Sequence, residues 1–361
     1  MNKSNTLLSL GVLVKRNVKL FLKDKMTVFF SVLAPVIVLL IYILFLGELQ
    51  VGSIQQILES EGIGSDIVSI QDVRGIVNNW MIAGVMGVSC ITVALNANIM
   101  MVRDRAYGNI NDVLSSPVKR WVLYASYIIS CFIVTLSIAL VVLLVSLCYL
   151  AGSGGFMLSW KDFFAILGIT ILSTISSSCF TALVCGFIKS TSALAAANGI
   201  FATAIGFLIG AYLPFGMLPK AIGWIGCFIP GTYSVGLFKE YFLNGMFNNI
   251  TAKLPADKVA EFMDKLSGQY SVKLEIFGQE ITTGWMVLAL VISIVLFASL
   301  ILIFYTNKKT NFFAVGKKVK KKKKIVANSI SKTENDAILV GKETTQIEST
   351  GKENQEIENK S

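Results

Sequence analysis

Few side chains in this sequence are equipped for chemistry of their own. Histidine is absent from all 361 residues. That removes imidazole bases, imidazole metal ligands and imidazole pH switches together. The six cysteines are Cys90, Cys131, Cys148, Cys179, Cys185 and Cys227. All lie inside apolar runs and none forms a Cys-x-x-Cys pair, so they read as small buried hydrophobes with no metal site and no disulfide framework. Gly-Lys pairs begin at Gly316, Gly341 and Gly351. None has a glycine five residues upstream, so no phosphate-binding P-loop forms. Gly-x-Ser-x-Gly, His-Glu-x-x-His and paired membrane carboxylates are also missing. The sequence therefore predicts no enzyme, no metal and no cofactor on this chain.

Polar side chains do sit inside the apolar runs. Ser173, Thr174, Ser176, Ser177, Ser178 and Thr181 cluster in one, and Thr92, Asn96 and Asn98 in another. Hydroxyls there can return hydrogen bonds to their own helix or line a wet path for a substrate. No charge falls mid-run, so neither a proton relay nor an ion-coupling site is predicted. Active transport by such a chain would draw its energy from another chain or from an ion gradient, and the uncharged spans argue against the gradient.

The elements that carry these residues follow from composition. The chain is 54% hydrophobic and only 15% charged, with a mean hydropathy of +0.68. Soluble domains carry about 25% charged residues, so this bias excludes an ordinary soluble fold. An ionised side chain costs about 2.5–3.5 kcal/mol at a helix centre, so charge-free gaps mark membrane spans. Six gaps each hold one helix of roughly 20 residues, near 27–47, 77–101, 121–149, 163–188, 192–213 and 284–306. The expected fold is an all-α integral membrane protein with six transmembrane helices. An amphipathic interface helix precedes them, and an outer re-entrant segment lies before the last span. That segment, 214–239, is short and glycine-rich, with Gly223, Gly226, Pro230, Gly231 and Gly236.

The net charge of +10 is concentrated in the N-terminal segment, in the 103–120 loop and after residue 306. Lysine and arginine in short loops favour the cytoplasm, so both termini and that loop are expected inside, and 48–74 and 245–282 outside. Trp80, Trp121, Trp160 and Trp285 fall at span ends, where indoles prefer to sit. In an apolar chain this charge reads as contact with an anionic lipid bilayer and not with nucleic acid. The positive N-terminus lacks a small-residue cleavage site, so a signal peptide is not expected.

Residues 7–25 place Lys15, Arg16, Lys19 and Lys23 on one arc of a helix whose remainder is apolar. That suits a helix on the inner membrane surface, either as a plain anchor or touching a cytoplasmic partner. In the 103–120 loop Gly108 permits a turn, Asn109 can cap a short helix with Asp112 three residues on, and Pro117 ends it. Ile110, Val113 and Leu114 share one face. Ala195 and Gly199, then Ala202, Gly206 and Gly210, repeat at four-residue spacing in the fifth span. Such spacing permits close packing within the chain or across a dimer.

Together these features resemble the permease subunits of type-2 ABC exporters, the family of drug-resistance and polysaccharide or teichoic-acid exporters. The resemblance covers roughly residues 5–306. It rests on the basic helix before span one and on Asp104-Arg105-x-x-Gly108 running to Leu114-x-x-Pro117-Val118-x-Arg120. Its third part is Gly210-x-x-x-Pro214, then Leu218-Pro219, then Pro230-x-Thr232-Tyr233. Ala106, Asn109 and Asn111 depart from it, since an acid, a threonine and an acid are usual there.

The resemblance implies a multidrug-resistance-type exporter of the cell membrane. It implies a separate ABC ATPase subunit and a second permease subunit, as a homodimer or heterodimer. Asn109–Ser116 would be the coupling helix. Arg103, Asp104, Arg105, Gly108, Asn109, Ile110, Asp112, Val113, Leu114 and Pro117 would form the ATPase-coupling set. Pro214, Pro219, Pro230 and Tyr233 would form the outer gate. The implied organisation is an interface helix over 1–25, a permease domain over 26–306 and a basic, then disordered, tail over 307–361. Uncharged aromatic spans favour an amphipathic or hydrophobic substrate. The competing classes are a secondary transporter, which would need internal repeats and ion ligands, and a membrane sensor or scaffold presenting its outer loop.

Overall fold

Charge-free runs longer than a bilayer crossing must form helices, because lipid offers no partner for backbone amides. The computed structural model describes residues 3–60, 62–64, 67–213, 219–270, 274–276 and 279–306. The described helices are α1 (Lys3–Lys23), α2 (Lys25–Ile41), a π-helical turn (Tyr42–Leu46), α3 (Gly47–Ser60), α4 (Ile70–Ala97), α5 (Ile99–Tyr107) and α6 (Asn109–Ser115). They continue with α7 (Arg120–Ser153), α8 (Trp160–Phe187), α9 (Thr191–Leu208), α10 (Lys220–Gly226), α11 (Pro230–Lys253), α12 (Ala256–Tyr270) and α13 (Thr283–Thr306). Six are long and apolar enough to cross a membrane: Lys25–Ser60, Ile70–Tyr107, Arg120–Ser153, Trp160–Phe187, Thr191–Leu208 and Thr283–Phe304. The protein is an all-α integral membrane protein. One ribbon qualifies that description, β1 (Leu274–Ile276) paired antiparallel with β2 (Gln279–Ile281).

The central element is α4. Ser69 and Asp72 close a reciprocal capping box at its start, and it packs against α2, α7, α8, α9 and α11. Its small residues permit this. A Cβ on Gly84 would stand 2.5 Å from the Ala211 carbonyl oxygen, and one on Gly87 would stand 2.2 Å from Val235 Cγ2. At its other end Asn98 separates α4 from α5. The Asn98 amide donates to Ala94 O at 3.0 Å and to Thr181 Oγ1 on α8 at 2.9 Å.

Several expectations change here. The stretch 48–74 is not an open loop, since α3 prolongs span one and buries Val51, Ile54, Ile57 and Leu58, a helical-period stripe. Likewise α11 runs unbroken through position 245 and buries Met246 and Ile250, so the polar segment 245–282 begins inside a packed helix. Trp80 is not an interfacial indole: it is fully buried, with the Lys239 ammonium 4.7 Å above its ring. Trp121, Trp160, Trp224 and Trp285 are exposed. The hydroxyls of Thr174, Ser178 and Thr181 return to carbonyls four residues back, and Ser176 pairs with Ser293 on α13. These hydroxyls are engaged within the bundle. Residues 307–361, with the lysine run, lie outside the described residues.

Candidate functional site

Three consecutive residues organise the end of the bundle that holds α1, α5 and α6. Neighbours on a helix point about 100° apart, so Arg103, Asp104 and Arg105 fan out around α5. Arg103 Nη1 reaches Asp24 Oδ2 at 3.2 Å, at the junction where Asp24 caps α2. Asp104 turns inward. It accepts a forked pair from Arg16 on α1, Nη1 to Oδ2 at 2.8 Å and Nη2 to Oδ1 at 3.1 Å. It also accepts from Tyr127 Oη on α7 at 2.7 Å and from Asn109 Nδ2 on α6 at 3.1 Å. Arg105 Nη1 donates to the carbonyls of Gly186 and Ile188 at 2.8 and 2.9 Å, gripping the carboxyl end of α8. Cations suit that end of a helix. One turn of α5 thus holds α1, α2, α6, α7 and α8.

The electrostatics follow from this geometry. The hydrogen bond to Asp104, reinforced by its charge, holds the Arg16 guanidinium above its ordinary pKa against the opposing effect of burial. Arg16 is therefore not one of a row of lipid-facing cations. Lys15, Lys19 and Lys23 stay exposed on α1, while Asn17 and Phe21 are buried. α1 packs along α7.

Gly108, with φ +82°, closes α5 and opens α6. A left-handed residue is cheapest as glycine. Asn109 is consequently not the cap. It is the first residue of α6, and its amide is spent on Asp104. Ile110 is buried, Val113 and Leu114 are half-buried, and Asp112 and Pro117 are exposed. The predicted coupling set therefore divides: Arg103, Asp104 and Arg105 tie α5 to α1, α2, α7 and α8, Asn109 and the buried Ile110 hold α6 in place, and Asp112, Val113, Leu114 and Pro117 are the part of the set left wholly or half exposed. Tyr107 stands 67% exposed beside Gly108, a large exposed aromatic that the spacing argument does not single out. An aromatic residue bordering a turn glycine was the available signal.

A cleft of about 110 Å³ lies between α2, α4 and α9. Pro35, Val38, Val85 and Val88 give it apolar walls, and Ser89, Thr92, Asn96 and Asn198 form a polar edge. Asn198 Nδ2 donates to Asn96 Oδ1 at 2.7 Å, leaving Asn198 Oδ1 buried without a hydrogen bond. The small residues of α9 divide as well. A Cβ on Gly206 would strike the Tyr212 ring, whereas Gly199 faces open space and Ala195 is exposed. Gly210 makes a left-handed turn at φ +68°, and the side chain of Ala202 lies outside the described residues.

Of the predicted gate residues, Pro230 begins α11 and is buried. Tyr233 Oη donates to Cys227 O at 3.0 Å. Pro219 precedes α10 and is exposed. Pro214 lies outside the described residues.

Six helices long and apolar enough to cross a membrane, with a charged brace at one end, describe a membrane component. The family model for ABC-2 type transporters matches residues 9–243. The chain belongs to that family and is the multi-pass permease component of an ABC transporter. No curated protein and no solved structure matches it.

Proposed function

We propose that this permease forms the translocation path of an ATP-driven exporter, with both termini and α6 in the cytoplasm of a cell-membrane protein. The observation that carries the reading is the fan of Arg103, Asp104 and Arg105. A load on the outer side of α6 passes through Gly108 and Asp104 to α1, α6 and α7, and through Arg105 to α8. An ABC ATPase supplies that load by docking on Asp112, Val113, Leu114, Pro117 and Tyr107, with Lys15, Lys19 and Lys23 alongside. The chain needs no cofactor of its own.

A second permease, identical or not, packs on the open face of α9 around Ala195 and Gly199. The substrate is amphipathic or hydrophobic, a drug, peptide or lipid-linked molecule. It uses the cleft between α2, α4 and α9, where apolar walls meet one polar edge, and leaves past α10 and α11.

The test is Leu114→Asp. A charge buried unpaired in an interface is not repaid for its desolvation. Co-purification with the ATPase and ATP-dependent export are both expected to fall at least tenfold, with membrane insertion unchanged. Unchanged assembly and export would refute the docking assignment. An impermeant thiol reagent on a cysteine placed at Asn111 checks the orientation, since labelling from outside intact cells would reverse it.

A further inference from the structure

The end of the bundle away from α6 holds a buried cation that the coupling argument does not use. Lys239, in the middle of α11, is 1% exposed. Its ammonium has three protons to donate. It gives one to Gly210 O at 2.9 Å and lies 4.7 Å over the Trp80 ring. No carboxylate of the described residues pairs with it. Gly210 belongs to the turn that ends α9, and the next two carbonyls are also held. Tyr42 Oη, in the π turn of span one, lies 2.9 Å from Ala211 O and 2.7 Å from Tyr212 O. α10 is fastened to the same place, because a Cβ on Gly226 would stand 2.3 Å from Leu208 O.

Taking this donor away would leave the buried Gly210 carbonyl unpaired, a larger loss than the mean worth of one hydrogen bond. Here the charge sits at the carboxyl end of a spanning helix, where a cation is attracted to the free carbonyls. Away from that turn and away from water, the ammonium would sit in apolar surroundings without a partner.

We propose that Lys239 is the latch of the far gate, a positioning residue that clamps the end of α9 and α10 against α4 until water enters. The proposal rests on the permease reading and assigns a closing device to its path. Closed, the ammonium holds Gly210 O and Tyr42 holds the two carbonyls beyond it. Open, the turn leaves α4, water solvates the ammonium, and the half-buried thiol of Cys227 at the end of α10 becomes accessible.

The test uses purified full-length protein in lipid nanodiscs and needs neither ATPase nor substrate. Two backgrounds each keep one native cysteine. Cys227 reports the far gate, and Cys185, buried beside Arg105 at the other end, reports general loosening. Lys239→Met keeps the volume and removes the charge. It should raise the maleimide labelling rate of Cys227 about tenfold, the factor expected from leaving one buried carbonyl without its donor, with Cys185 unchanged. Lys239→Arg should stay near the native rate. Tyr42→Phe, which removes only a hydroxyl, should give a smaller rise at Cys227.

A native rate for Lys239→Met overturns the latch. So does equal acceleration by Lys239→Arg, or a parallel rise at Cys185. If Lys239→Met does not accumulate, Tyr42→Phe decides alone, and a native Cys227 rate there overturns the proposal. Loss of export with this labelling pattern intact counts against the permease path and leaves the latch standing.

Discussion

The two ends of the bundle are held by different physics. Around Asp104 a carboxylate collects a guanidinium fork, a phenol and an amide from three helices. Around Lys239 a lone cation meets one carbonyl and one aromatic face. The first end is over-determined, since losing any single donor leaves the others in place. The turn at Lys239 depends on single contacts and on close packing of small residues, although farther along the same end Asp72 collects Lys253, Asn249 and Ser69. A rigid end suits a part that must transmit force, and a singly fastened end suits a part that must open.

The largest expected effect tests the rigid end. Asp104→Ala removes the acceptor shared by α1, α6 and α7. Deleting one partner of a buried pair costs about 3–5 kcal/mol. Arg16 keeps a third of its side chain exposed, so the lower figure applies. The thermal midpoint of the purified permease should fall and ATPase co-purification should be lost. Cys227 reactivity should stay native, and a rise there would erase the distinction between the ends.

Next is Gly84→Ala at the opening end, where the new methyl meets the backbone carbonyl of Ala211. Overpacking costs roughly 1–3 kcal/mol. Because the obstacle is backbone, relief requires the turn after α9 to move. Cys227 labelling should therefore accelerate while Lys239 is untouched. A native labelling rate would show that packing does not hold this end.

The smallest effect belongs to Lys253→Ala. Lys253 pairs with Asp72 at 2.8 Å on the same side of the bundle as Lys239, but the lysine side chain is 41% exposed. Asp72 is as buried as Asp104, but without Lys253 it keeps the bonds from Ser69 N, Ser69 Oγ and Asn249 Nδ2, so losing the half-exposed ammonium should cost about 1 kcal/mol or less. A small drop in the thermal midpoint is expected. A drop as large as that of Asp104→Ala would mean that the far end relies on its carboxylate in the same way, which would break the contrast.

Much of this was legible in the sequence. The six spans follow from charge-free gaps, because one lysine in a bilayer outweighs many local preferences. The Gly108 turn and Pro117 place α6 within a residue or two of its observed limits. What was hidden was pairing over distance. Arg16 reads as one of four cations on an arc until the helix register places it opposite Asp104, 88 positions along the chain. Trp80 reads as interfacial because a span boundary is inferred from charge. The charge that matters, Lys239, arrives from a helix far later in the sequence. α3 carries glutamates at both ends, which reads as a connection outside the spans, although its four buried apolar residues repeat at helical spacing. Charge counting hid a stripe that periodicity would have found.

Asn98 gives the second span the mechanics of a lever. The arm on the α6 side, α5, has 9 residues, and the arm on the other side, α4, has 28. At about 1.5 Å per residue these are lengths of about 14 Å and about 42 Å. The amide bonded to Thr181 sets the fulcrum. Rotation about that point multiplies travel roughly threefold and divides force by the same factor. The turn after α9 packs at Gly84, about half-way along the long arm, so a nudge of about 1 Å at Gly108 would arrive there as about 1.5 Å.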